Sequence, residues 1–161
     1  MIIATVEMED STMYFVDRTK ITETCKHLDE ILAIFEAGTN WTTEPVAQLA
    51  LQRIAHNAME SMMDVGNVII DGFVMRDPGS YDDIIDILLD EKVIPADMEA
   101  PLKEVVALRK MLVREFTAVN NEEVYNVLSS NVDALKRFSP LVQSYLENEL
   151  GPISAFLPEK E

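Results

Sequence analysis

Asn120-Asn121-Glu122-Glu123-Val124-Tyr125-Asn126-Val127-Leu128 opens the stretch that decides the fold. An amide at Asn120 followed by two carboxylates is a helix start, because a capping side chain accepts a free backbone N–H and acidic residues suit the positive end of the helix. From there Val124, Leu128, Val132, Leu135, Phe138, Val142 and Tyr145 return every three or four residues, the period of a single helix face. Pro140 predicts a kink, and Gly151-Pro152 predicts the end.

Four further helices read out upstream. Asp17 caps a first one whose apolar stripe is Ile21, Cys25, Leu28, Leu32 and Phe35, and Gly38 with Asn40 closes it. Thr43-Glu44-Pro45 starts a second, running from Glu44 to Asp71 and stopping at Gly72, with Arg76-Asp77-Pro78-Gly79 as the following turn. Ser80 and Asp83 form a capping-box-like pair for a short third helix carrying Ile84, Ile85, Leu88 and Leu89. Pro95 opens a fourth, with Pro101 near its first turn. No segment alternates strictly enough to read as a strand. The expectation is an all-α, five-helix up-down bundle over residues 13–150, with a polar N-terminal extension at 1–12, whose start codon is open to question, and a tail at 151–161.

Composition narrows the function. With 161 residues the chain is one domain with room for a core, and 48% hydrophobic residues with only five glycines suit packed helices. A single cysteine, Cys25, allows no internal disulfide, and no apolar run reaches the roughly 18 residues of a membrane span. The expected location is the cytoplasm. A net charge of -16 repels nucleic acid at long range, which disfavours broad RNA binding and suits a cationic protein partner; a small basic site can still depart from the global field.

The basic site is the segment Arg109-Lys110-Met111-Leu112-Val113-Arg114-Glu115-Phe116. It resembles the motif of the HepT-like ribonucleases of the HEPN clan, in which Arg is followed after four to six residues by His, any residue, and Tyr. Arg109 stands at the motif's Arg position, Arg114 at that of the His and Phe116 at that of the Tyr. The resemblance extends by pattern order from about Met13 to Leu150. It implies a helical bundle of HEPN type that dimerises, metal-independent RNA cleavage in a cleft shared by two protomers, and silencing by a partner nucleotidyltransferase that adds AMP to the motif tyrosine. Arg114 cannot move protons as the His does, since a guanidinium stays protonated, and Phe116 has no hydroxyl to accept AMP.

Two readings therefore stand. One is a toxin–antitoxin-type ribonuclease component, weakened or inactive, in which Arg109 contacts phosphate with Arg114, Lys110 and Lys103 as supporting cations. The other is a non-catalytic dimeric interaction or regulatory protein on the same scaffold. Residue by residue, plainer roles compete: Arg109, falling in the stripe Leu102, Val106, Val113 and Phe116, could pair with a carboxylate; Lys110 and Lys103 could form a solvated basic face; Phe116 could be core or interface packing.

The second helix carries Arg53, Asn57, Glu60, Asp64, Asn67 and Asp71 on one face. That stripe lines a polar cleft or faces solvent, and Glu60 or Asp64 is the natural partner for Arg109 if the cleft runs between the second and fourth helices. His56 could enter the same cleft and supply the missing proton chemistry. Tyr81 and Tyr125 are other hydroxyls without an assigned place. No metal or cofactor is expected: Glu23, His27 and Glu30 share a face, yet a metal site needs three or four convergent ligands, and Cys25 lies in an apolar stripe.

Overall fold

A computed structural model describes the backbone of residues 3–7 and 13–151 and the side chains from Val16 onward; the rest of the expected tail, from Pro152, lies outside the described residues. The architecture is the expected all-α bundle. Its helices are α1 (Arg18–Ala37), α2 (Pro45–Gly72), α3 (Tyr81–Asp90), α4 (Glu99–Val106), α5 (Arg109–Val113) and α6 (Asn121–Leu150), with a 3₁₀ turn at Ala96–Met98.

The caps account for the starts. Asp17 accepts from Lys20 N at 3.0 Å, Glu44 from Ala47 N at 2.8 Å, Ser80 from Asp83 N at 3.1 Å and Asn120 from Glu123 N at 3.1 Å, each satisfying an orphan helix donor. Between these ends α1 packs on α2 and α6, α2 on α3 and α6, and α4 on α3 and α6. Their shared core includes Leu28 and Leu32 from α1, Met59, Met62 and Ile69 from α2, and Leu135, Phe138 and Val142 from α6, all essentially inaccessible to water. Each such side chain contributes on the order of 1.5–3 kcal/mol of burial. Gly66 serves close packing here: a Cβ at that position would lie 2.6 Å from Ile84 Cγ2, so a methyl would push α3 away from α2.

Three details depart from the sequence reading. First, Ile3–Glu7 and Met13–Asp17 pair as an antiparallel hairpin, β1 and β2, in register from Ile3 opposite Asp17 to Glu7 opposite Met13, so part of the expected extension is a strand. Second, Gly38 does not take up the left-handed conformation of a helix-ending glycine; Asn40 does, at φ 60°, and Gly38 instead leaves room for the Trp41 ring. Third, the expected fourth helix is divided. Leu108 N bonds Val105 O at 3.1 Å in a tight turn, Leu108 occupies the core, and α5 restarts for only five residues. The last helix, α6, runs without a break from Asn121 to Leu150, with Pro140 inside it.

Candidate functional site

The division between α4 and α5 sets the geometry of the basic segment. After the turn at Ala107 and Leu108, the stripe Leu102, Val106, Arg109, Val113, Phe116 no longer lies on a continuous helix face. Leu102 and Val106 remain buried, Val113 reaches the surface and Phe116, past the end of α5, is 67% exposed. Phe116 is therefore not a core residue. The same turn interrupts the helical face expected to join Lys103 to Lys110 and Arg114.

Arg109 turns toward α2. Its Nε lies 3.7 Å from Glu60 Oε1 and is buried without a hydrogen bond, while its guanidinium carbon sits 4.4 Å from the centre of the Tyr81 ring at the start of α3. A planar guanidinium over an aromatic face with a carboxylate at its edge is held by both cation–π and ionic attraction. Glu60 Oε1 also lies 3.9 Å from His56 Nε2, one helical turn earlier on α2. One carboxylate oxygen thus stands between an imidazole and a guanidinium.

His56 opens onto solvent through a shallow depression of about 340 Å³ between α2 and α5, lined by Leu49, Gln52, Arg53, His56, Leu112 and Val113. Arg53 and Arg114 are both exposed, and Arg114 forms none of the ion pairs found among the described residues. Lys110 makes a surface pair with Glu115 at 3.6 Å. Lys103 is occupied elsewhere: Asp86 at 2.6 Å and Glu99 at 3.0 Å hold its ammonium, and the bonds to these carboxylates push its pKa above the ordinary lysine value. Asp64 is exposed on the same face of α2 as Glu60, with Glu60 the carboxylate beside Arg109. Sequence reasoning named Tyr81 without a place for it; its ring meets Arg109 only through the packing of α3, which no local pattern encodes.

His27 and Cys25, which the sequence also singled out, lie outside this cluster. His27 bonds the Asn57 amide at 3.0 Å, and among the described residues no three His, Cys, Asp or Glu side chains converge as a metal site would require. Cys25 is buried, and burial pushes its thiol up to about 11, so it is a poor nucleophile. No helix among the described residues is long and apolar enough to cross a membrane.

Comparison with known proteins places the chain in a family. The profile of the ribonuclease HepT-like family matches residues 20–142. The Bacillus subtilis protein named "Putative RNase YutE" is 49% identical over 144 residues, covering 89% of this chain and 99% of that protein. The solved structure of YutE, there described as a cytosolic protein, superimposes with a TM-score of 0.85 over 89% of this chain and all of that one. At the level of fold alone, with 20% identity and a TM-score of 0.65, the chain is also similar to the tri-AMPylated Shewanella oneidensis HEPN toxin solved in complex with its MNT antitoxin, over 78% of this chain and 95% of that one.

Proposed function

The chain belongs to the HepT-like ribonuclease family, and we propose that it is a toxin–antitoxin-type member whose inherited RNA-cleaving motif is weakened or lost. One observation carries the reading. Arg109 is held in place by Glu60 and Tyr81, ready to stabilise charge on a phosphate, while the motif positions on the same segment carry a permanently charged Arg114 and an exposed Phe116. The electrostatic half of the site is present and the motif's proton carrier is not. Arg114 and Lys110 add cations at the edge, and the site completes itself against a second copy of the chain in the cytoplasm.

A nucleotidyltransferase antitoxin is the partner this reading suggests, as the Shewanella toxin is solved with an MNT antitoxin. Phe116 removes the hydroxyl at which the resemblance places AMP transfer. Control by such a partner would then act through binding. Cleavage of a labelled RNA pool in the presence of chelator, comparing wild type with Arg109→Ala and with Arg114→His/Phe116→Tyr, tests the proposal. The expected order is restored variant above wild type, with Arg109→Ala below both; wild-type activity unaffected by Arg109→Ala sinks it.

A second reading, a non-catalytic interaction protein, is favoured by a separate observation. Val46, Leu49 and Phe116 are 72%, 67% and 67% exposed, large apolar side chains on α2 and just past α5 that the monomer leaves in water. If the restored variant cuts RNA and the wild type is silent, the natural role lies in that surface.

A further inference from the structure

We propose that His56 is the proton carrier of this site, taking over from α2 the task the motif position at Arg114 cannot perform. The inference rests on the RNA-cleavage reading above and supplies the group that reading leaves missing. Three observations converge on it. His56 Nε2 and Arg109 Nε approach the same oxygen, Glu60 Oε1, at 3.9 and 3.7 Å. The imidazole is partly exposed, at 31%, and lines the depression between α2 and α5 beside Arg53. The other histidine of the chain, His27 on α1, is engaged with the Asn57 amide at 3.0 Å.

The chemistry follows from the groups present. Histidine is the side chain that ordinarily exchanges a proton near neutral pH, and a carboxylate 3.9 Å from its Nε2 favours the imidazolium once formed. Arg109, held by the same carboxylate and by Tyr81, supplies fixed positive charge within the same cluster, and Arg53 supplies a second cation in the depression. A ribose phosphodiester seated there would lose its 2′-hydroxyl proton to His56. The 2′-oxygen forms a bond to phosphorus as the bond from phosphorus to the 5′-oxygen breaks, and that 5′-oxygen takes a proton from water. The products are a 2′,3′-cyclic phosphate and a 5′-hydroxyl, and His56 returns its proton to solvent. No metal or redox partner enters the balance, and a DNA strand, lacking the 2′-hydroxyl, is not a substrate. Glu60 is a positioning residue in this scheme, since it acts through the imidazole and the guanidinium.

The test uses the full chain, chelator, a labelled RNA pool and the matching DNA. His56→Ala is expected to lower the cleavage rate about 100-fold or more, the usual contribution of a proton-transferring side chain. Added imidazole should return part of that rate, whereas His27→Ala should cut as the wild type does. His56→Gln, with circular dichroism and thermal midpoint beside it, separates lost chemistry from lost fold. If His56→Ala cuts RNA as fast as the wild type, or the wild type cuts DNA equally well, the assignment is overturned while nuclease activity stands. If the wild type is silent and Arg114→His/Phe116→Tyr cuts, His56 is not a proton carrier and the reading of an inactive member stands. Silence in both removes the assignment and the ribonuclease reading together.

Discussion

Glu60 Oε1 lies 3.7 Å from Arg109 Nε, so this carboxylate on α2 is the ionic neighbour of the guanidinium that opens α5. Both side chains are partly exposed, at 36% and 27%, so solvent screens the pair, yet Arg109 Nε itself is buried and unbonded. A coupling of about 0.5–1 kcal/mol is therefore expected from a double-mutant cycle of Glu60→Gln and Arg109→Gln in urea denaturation. Tyr81→Leu should cost a further ~0.5–1 kcal/mol through loss of the cation–π contact. Additive single effects of Glu60→Gln and Arg109→Gln would show that Glu60 does not hold Arg109.

Two helix ends close on residues that pay for the geometry. After α2, Met75 N bonds Ile70 O at 2.9 Å and Val74 N bonds Asp71 O at 3.3 Å; after α3, Val93 N bonds Leu88 O at 2.9 Å and Lys92 N bonds Leu89 O at 3.0 Å. These are Schellman endings, whose left-handed position favours glycine, yet Val74 stands there at φ 54° and Lys92 at φ 59°. A left-handed residue with a side chain costs about 1–2 kcal/mol, and glycine's extra unfolded-state entropy recovers only part of that difference. Val74 is 68% exposed, so little packing is lost with it. Val74→Gly is expected to raise stability by about 0.5–1 kcal/mol and the thermal midpoint by roughly 1–4 °C, measured by calorimetry. A lower midpoint would mean that the valine side chain makes up for the strain.

What was legible in the sequence is what is decided within one or two helical turns. Asp17, Ser80 and Asn120 announce helices because a cap reaches a donor three residues on, and the stripes of α1, α2 and α6 announce a bundle because burial follows their period. Phe116 misled because its stripe assumed a helix unbroken from α4, whereas a turn at Ala107 and Leu108 breaks it and α5 ends at Val113, before Phe116. The hairpin escaped because its two strands stabilise each other rather than either alone. At the candidate site, Glu60 and Arg109 were nameable as partners from their faces, but the sharing of Glu60 with His56 and the contact with Tyr81 depend on how α2, α3 and α5 meet.

The turn into α3 should give the protein part of its acid sensitivity. Arg76 donates two 2.7 Å bonds to Asp83, Gly79 N donates a third at 2.8 Å, and the Arg76 bonds above all hold the Asp83 carboxyl at about 2. Its folded pKa is depressed, so its contribution is present above the ordinary carboxylate range and is lost as pH falls from about 4 toward about 2. Asp83→Asn should flatten the fall of the urea midpoint across that window while lowering stability at neutral pH. An unchanged slope would assign the acid transition to other carboxylates.

Arg18 offers the sharpest test of how the bundle is closed, because it joins the first turn of α1 to the last carbonyls of α6. The side chain is 2% exposed and donates from Nη1 to Gly151 O at 3.1 Å across 133 residues of sequence. A helix C-terminus gathers negative partial charge on unbonded carbonyls, so a buried cation is stabilised there even as it satisfies one of them. Arg18→Ala removes the donor and the stem that fills the core, and a loss of about 2–4 kcal/mol is expected. Arg18→Met keeps most of the stem volume and loses the contacts of the guanidinium, the bond to Gly151 O and the attraction of Glu147 among them, so it should fall about midway between wild type and Arg18→Ala in urea denaturation. Hydrogen exchange provides the second readout: protection should fall first in the last turn of α6 in both variants. Equal stability of Arg18→Met and wild type would show that Arg18 acts there by packing alone.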